Sequence, residues 1–465
     1  MSPAPDGLVV RLDPGAQWLD EETLFGGAPP RLLRFSKRGR ELLGGGEFTV
    51  TGAASRVLAE KLLAAGAAHP VLRRARPRPV SVVIPVHGRE AELRRLLGAL
   101  DGTLPDGSEV LVVDDGTPVP IELAGVTVLR HEVSRGPAAA RNTGLAAAAA
   151  EFVAFLDSDV VPVPGWLDPL LAHFEDPAVA LAAPRIVGLR KARENLLARY
   201  EHARSSLDLG PDAALIVPKT RVAYVPSAAM VVRVSAVGAG FAAELRVAED
   251  VDLVCRLHAS GHRLVYDPSS RVAHEHRDRP VAWFARKAFY GTGAAPLALR
   301  HPGTVPPVNL PGWAAAVCVL LGVQRRWSVL AAVALIAVRT VRLRRSLSML
   351  RRPLRTAVKL NAMTLTGAAW QSAGALNRHW WPVALAGAVV SRRFRRALLT
   401  TAVAEGVADW WQHRGELDLL CYVVLHRVDD LAYGTGLWRG AVVHSTVAPL
   451  LPRFLPVRSR DGGRS

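Results

Sequence analysis

The chain of 465 residues predicts an α/β protein, with a Rossmann-like, mostly parallel sheet in its catalytic domain. A small winged-helix-like module precedes that domain and an α-helical region follows it. Three observations carry the prediction. Between residues 76 and 305, short apolar runs alternate with segments of helical periodicity, the pattern of βαβ units. Upstream, short strand-like runs mix with two helical patterns and end in an Arg- and Pro-rich linker, residues 73–79. Beyond residue 305 the strand signal disappears and apolar helical runs take over. The predicted divisions are therefore 1–75, 76–305 and 306–465.

In the first division, residues 8–12 read as a strand, Leu24-Phe25-Gly26-Gly27 as a turn, and residues 31–35 as a second strand. Ser36 is placed to cap a short helix over Lys37–Leu43. Thr51 is placed to cap a second helix, in which Ala53, Val57, Leu58 and Leu62 recur at helical spacing. In the second division, Val80–Val86 reads as a buried strand. Glu90–Leu100 reads as a helix with Leu93, Leu96, Leu97 and Leu100 on one face. Residues 109–113 form the next strand, followed by Asp114, Asp115 and the turn residue Gly116. Residues 126–129 are a short strand, 137–150 an Ala-rich helix, and Phe152–Leu156 a strand again.

Half of the residues are hydrophobic, enough for a large core, and the net charge is +17. The three cysteines are far apart, which excludes a disulfide framework and a Cys-based zinc site and fits a reducing compartment. The first residues lack a charged segment leading into an apolar run, so no secretory signal is expected. From Arg279 to Ala404 there is no Asp or Glu, while Arg342, Arg344, Arg345, Arg351, Arg352, Arg355 and Lys359 crowd one stretch. An acid-free basic region interleaved with apolar segments points to an anionic membrane surface, at the cytoplasmic face of the membrane. Nucleic acid is the competing polyanion. It is disfavoured because the N-terminal module has no basic recognition helix. The apolar runs 313–323 and 328–338 are split by Gln324-Arg325-Arg326-Trp327. Each is shorter than the roughly 20 residues that cross a bilayer. One continuous span would bury two arginines at mid-membrane. An interfacial or re-entrant hairpin, a true span, and a buried hairpin in a soluble domain all remain open at this point.

The chemistry is concentrated in Phe155-Leu156-Asp157-Ser158-Asp159. Carboxylates one residue apart at a strand end can share one hard divalent cation. The carboxyl ends of parallel strands are also where open α/β sheets bind ligands. Four further features stand in order around this pair. Ile84-Pro85-Val86-His87-Gly88-Arg89 is a strand end turning into a helix. Val112-Val113-Asp114-Asp115-Gly116-Thr117 offers a carboxylate to a nucleobase or ribose. Arg135 through Gly144 opens a helix with small residues and presents Arg141 to an anion or base. Ala248-Glu249-Asp250-Val251-Asp252-Leu253 begins a helix with acids. Taken singly, these are a turn carboxylate, a surface ion pair and acids at the positive end of a helix. Their order is what points to a site. His274 and Glu275 suggest a His-Glu-x-x-His zinc site, which Asp278 at the last position excludes.

This ordered set resembles the family 2 inverting glycosyltransferases of GT-A fold, over about residues 80–280. The resemblance implies a nucleoside pocket lined by Pro85, Asp114 and Asp115, with Arg141 on the nucleotide. It implies that Asp157 and Asp159 hold Mg²⁺ or Mn²⁺ on the diphosphate, with Asp157 also facing the nucleotide sugar. His274 then falls at a further metal or phosphate ligand, and Asp250 at the catalytic base. Glycosyl transfer needs these types, because a cation neutralises the departing diphosphate and a separate carboxylate activates the acceptor hydroxyl. The whole chain is similar to the glycosyltransferases of mycofactocin systems. Arg11-Leu12-Asp13, Trp18-Leu19, Leu24-Phe25-Gly26-Gly27 and Arg31-Leu32-Leu33-Arg34-Phe35-Ser36 carry a likeness to PqqD-like peptide-binding domains. That likeness implies transfer of β-linked glucose from UDP-glucose onto mycofactocin, a peptide-derived redox cofactor, or its precursor. A lipid-linked or cell-wall glycan is the alternative acceptor. A non-catalytic binding protein is disfavoured by the intact Asp157, Asp159 and Asp250.

Overall fold

The β-branched run Val80–Val86, buried at every position but Pro85, is the spine of the main sheet. The computed structural model describes residues 4–72 and 77–455. The expected linker falls partly on residues 73–76, which lie outside the described residues. The chain divides into two compact units, residues 1–278 and 279–465.

In the first unit, Phe152–Leu156, Val80–Val86, Glu109–Asp115 and Thr127–His131 lie side by side and parallel. On the other flank the sheet turns mixed. Ala229–Arg233 runs antiparallel to Phe152–Leu156 and to Val179–Gly188. The long strand Arg263–His274 then pairs parallel with Val179–Gly188 and antiparallel with Val160–Pro162. Alternation along the spine feeds two cores. Val80, Val82, Ile84 and Val86 pack with Leu93, Leu96 and Leu100 of the helix Glu90–Leu100. Val83 packs on the opposite face with Ala138 and Ala140 of the helix Pro137–Ala147, and with Leu253, Val254 and Leu257 of the helix Glu249–Ala259. This is the expected α/β architecture.

Several boundaries move for local reasons. The second and third parallel strands run on to Asp115 and His131, because these residues still pair in register with each other. The Ala-rich helix stops at Ala147, since the Ala149 N–H bonds Glu109 Oε1 (2.8 Å) and the Ala150 N–H bonds Ser81 Oγ (3.1 Å). Both bonds draw the chain into the following strand.

The N-terminal module has its own core, including Val10, Leu24, Leu43, Phe48, Leu58 and Leu62. Ser36 caps the helix Lys37–Leu43 as expected, accepting from the Gly39 N–H. Two readings are corrected. Thr23–Gly26 is a strand rather than a turn, because it is the middle strand between Gln17–Trp18 and Arg31–Arg34. Thr51 does not cap the helix Ala53–Ala65. Gly52 holds that place, and Ser55 Oγ accepts from the N–H groups of Thr51 (2.9 Å) and Gly52 (3.1 Å). A groove of about 250 Å³ runs between Leu33, Phe35, Leu42 and Val57, with Arg34, Arg38 and Lys61 also lining it.

The second unit is mainly helical. The apolar runs fold as the hairpin Gly312–Gly322 and Arg326–Ser346, broken where Gln324 takes φ +54°. Among the described residues, no helix is long and apolar enough to cross a membrane. Further on, Glu405, Asp409 and His426 meet between the helices Arg392–His413 and Leu419–Val443. His426 Nε2 lies 3.2 Å from both Glu405 oxygens, Tyr422 donates to Asp409 (2.7 Å), and Arg427 pairs with Glu405. Cations and donors thus compensate the buried acids.

Gly144 sets the approach of the Arg141-bearing helix to the spine strand, since a Cβ there would lie 2.3 Å from Val83 Cγ1. Valine cannot swing aside, because its χ1 is stiff. Gly144→Ala should therefore destabilise the protein by about 1–3 kcal/mol in urea unfolding, with part recovered by Val83→Ala in the double variant. A neutral single variant would remove this close packing from the account.

Candidate active site

The strand Phe152–Leu156 ends where the Asp157 N–H turns to bond the Ala228 carbonyl (3.0 Å). Asp157 and Asp159 therefore stand at the carboxyl edge of the parallel strands. Asp159 pairs with the guanidinium of Arg89, and its Oδ1 lies 3.5 Å from His274 Nε2. The meeting with His274 follows from register, because His274 is the last residue of its strand and pairs with Val160. Arg89 reaches in from the start of the helix Glu90–Leu100, from a left-handed backbone (φ 55°). The Nδ1 atom of His274 is buried with no hydrogen-bond partner.

Arg141 joins this edge to a second element. It is 3 % exposed, on the helix Pro137–Ala147. Its Nη2 donates to Asp157 Oδ1 (2.6 Å) and its Nη1 to Glu249 Oε1 (2.9 Å). Its guanidinium also lies over the Phe241 ring, 5.5 Å from the centroid. Burial favours the neutral form of Arg141, but the carboxylates of Asp157 and Glu249 outweigh it and hold the group cationic. Glu249 opens the helix Glu249–Ala259, directly after Ala248 in a left-handed conformation (φ 66°). The next residue is Asp250, whose carboxylate accepts from the N–H groups of Ser227 (3.1 Å) and Val251 (2.8 Å). Burial and the adjacent Glu249 charge push the Asp250 carboxyl up to about 7. That suits a group that takes up a proton near neutral pH.

Asp114 and Asp115 behave oppositely. Burial raises both, yet hydrogen bonds win and hold them below the usual carboxylate range. Asp114 is gripped by Arg130 and by the Thr117 N–H (3.0 Å). Asp115 accepts from His131 Nδ1 (2.7 Å), Ser134 Oγ (2.8 Å), and the N–H groups of Arg135 and Gly136 (2.8 Å each). Asp115 thereby fixes the loop that starts the Arg141 helix. Gly116 lets that loop close in, because it takes φ +71° and a Cβ there would lie 2.5 Å from the Ser134 nitrogen. A base or ribose would reach either carboxylate only by exchanging one of these bonds. Pro85, the penultimate residue of the spine strand, pairs with Val113 and lies two residues before His87, whose Nδ1 donates to the Asp115 carbonyl (2.8 Å).

The residues expected from sequence fall into linked groups. Asp157 and Arg141 bond directly, Asp250 follows Arg141's partner Glu249, and Asp159 meets His274. Sequence reasoning missed Arg89, the bond from Arg141 to Glu249, and His131. Arg89 and Glu249 stood inside quoted motifs. Their partners are 70 and 108 residues away, so only folding reveals the pairs. The carboxylates of Asp157 and Asp159 and the imidazole of His274 are donor types that suit a divalent cation.

Residues 81–235 match the family described as "Glycosyl transferase family 2". Over 97% of this chain and 98% of the relative, the sequence is 44% identical to "Pre-mycofactocin glycosyltransferase" of Mycobacterium tuberculosis. The chain belongs to the family 2 glycosyltransferases. Its end-to-end likeness lies with the mycofactocin-pathway member. A shorter stretch, 24% of this chain and 29% of the relative, is 34% identical to "Validoxylamine A glucosyltransferase" of Streptomyces hygroscopicus subsp. limoneus. Among solved structures, a mannosyltransferase from Pyrobaculum calidifontis in complex with GDP-Man and Mn²⁺ is 18% identical. That match covers 64% of this chain and 88% of the other, with a TM-score of 0.37.

In this glycosyltransferase, Arg141→Met strands two carboxylates, one of them deeply buried. Removing one member of such a network costs about 3–5 kcal/mol. Arg141→Lys should recover only part of this, because an ammonium cannot fork to two acids in the same geometry. Denaturant unfolding of the three proteins measures both differences.

Proposed function

We propose that the enzyme transfers glucose from UDP-glucose, with inversion and as β-linked units, onto the peptide-derived precursor of mycofactocin. The observation that carries this reading is the Arg141 bridge. It holds Asp157, at the strand end, to Glu249, beside Asp250. Asp157, Asp159 and His274 would hold Mg²⁺ or Mn²⁺. When bound, that cation supplies charge neutralisation to the departing diphosphate. Pro85, Asp114 and Asp115 shape the nucleoside side of the site, and Arg141 faces the nucleotide. Asp250 takes the proton from the acceptor hydroxyl. Burial and the adjacent Glu249 charge raise its carboxyl to about 7, which leaves it basic enough to do so near neutral pH.

The N-terminal division, residues 1–75, is read as a PqqD-like module that receives the peptide-derived acceptor. Its mainly apolar groove, with Arg34, Arg38 and Lys61 among the lining residues, supports that reading. The acid-free basic stretch 279–404 supports action at an anionic membrane surface, on its cytoplasmic face. The same stretch favours a second reading, in which the acceptor is a lipid-linked or cell-wall glycan.

Purified enzyme with UDP-glucose, Mn²⁺ or Mg²⁺ and the precursor should add mass in steps of one hexose. Asp250→Asn should lower kcat by roughly 10²–10⁴-fold. NMR coupling at the anomeric proton should report a β linkage, and an α linkage would overturn inversion. Hexose transfer to a polyprenyl-linked sugar, with none to the precursor, would move the acceptor to the second reading.

The base works as a carboxylate and is lost on protonation. kcat/KM should therefore be level above pH 7 and fall below about 7, the value to which the Asp250 carboxyl is raised. A profile flat down to pH 5 would show that the Asp250 carboxyl is not raised, and the loss of kcat in Asp250→Asn would then carry the role of base alone.

A further inference from the structure

The helical unit presents an unusual pole. Its hairpin Gly312–Gly322 and Arg326–Ser346 turns at Gln324, and a second hairpin, Trp381–Val390 and Arg392–His413, turns at Ser391. The two turns touch, because Gln324 Nε2 donates to the Arg393 carbonyl (2.8 Å). Their junction gathers Arg325, Arg326, Arg392, Arg393, Arg395 and Arg396, all exposed, in a stretch of sequence with no carboxylate. Within two helical turns lie exposed apolar side chains, including Val390 at 88%, Val389 at 81%, Leu330 at 69%, Val319 at 67% and Trp327 at 61% exposure.

Two physical features make this pole a site for an external anion. Helix N-termini carry partial positive charge and free N–H groups, and acids normally stand there. Both helices beginning at the junction have no acid in the first turn, and Arg326, Arg392, Arg393 and Arg395 stand there instead. Like charge is thus stacked on like charge, which phosphate groups relieve. Arginine with Trp, Val and Leu is also the composition of segments lying at the boundary of headgroups and acyl chains. A soluble anion would explain the arginines but not the apolar collar.

We propose that this junction is the point at which the helical unit docks on an anionic phospholipid surface. The arginines engage lipid phosphates, and Trp327, Val389 and Val390 enter the outer acyl region. The proposal rests on the reading that the basic region meets a membrane, and narrows it to one pole.

The test is flotation of the full-length protein with vesicles of phosphatidylcholine alone or with phosphatidylglycerol added. The expected result is capture by the anionic vesicles only, weakened by salt. Arg325→Glu/Arg326→Glu/Arg392→Glu/Arg393→Glu should reduce capture at least tenfold. Arg342→Glu/Arg344→Glu, about 25 Å further along the helix at 1.5 Å per residue, should retain most of it. Brominated phosphatidylglycerol should quench a tryptophan signal that is missing in Trp327→Phe. Circular dichroism of each variant shows whether it is folded. If the unaltered protein floats with neither vesicle, or binds duplex DNA instead, the membrane reading itself falls. If it floats but the two charge-reversed variants lose capture equally, or Trp327→Phe leaves the quenching unchanged, only the assignment to this pole falls.

Discussion

A buried guanidinium cannot stay in a protein interior without anionic partners, and Arg141 meets that requirement with carboxylates from two distant segments. The cost of desolvating this one cation makes the geometry of three elements interdependent. The Ala-rich helix must lie close enough to the spine strand for Arg141 to reach the sheet edge. The strand Phe152–Leu156 must end where it does for Asp157 to be met. The helix Glu249–Ala259 must begin at that edge, which brings Asp250 with it. Phe241 closes the remaining side of the guanidinium with its ring face.

The same bridge separates the roles of neighbouring acids. Glu249 spends its charge on Arg141, whereas Asp250, one residue on, accepts from backbone N–H groups and feels Glu249 as a like charge. Asp114 and Asp115 are buried too, yet strong donors surround them and hold them ionised. Acids of the same unit are thus pushed in opposite directions by their environments. Asp157 and Asp159 each face a guanidinium, which compensates their charge.

Much of the catalytic region was legible because its signals are local. The bounds of Val80–Val86 and Phe152–Leu156 follow from their apolar runs and those of Glu90–Leu100 from its helical period, and the first helix was announced by Ser36 just ahead of it. Errors came where a partner outside the motif decided the outcome. Thr23–Gly26 carries turn-like glycines nearby, but two flanking strands pair with it and make it a strand. Thr51 is a good capping residue by type, yet Ser55 reaches back and bonds the N–H groups at that end. The helical unit shows the same limit. Its apolar runs were visible, and their break at Gln324 was visible, but the contact of Gln324 with Arg393 was not.

By itself, the sequence determined the α/β class, the order of the motifs and the acid-free basic composition of the C-terminal region. Each depends on residues near one another along the chain, where period, caps and turns act. Tertiary structure alone decided that Arg89 faces Asp159, that His274 lies against the same carboxylate, and that Arg141 divides its charge between Asp157 and Glu249. Those pairings depend on strand register and helix packing, which bring together groups that no local pattern relates.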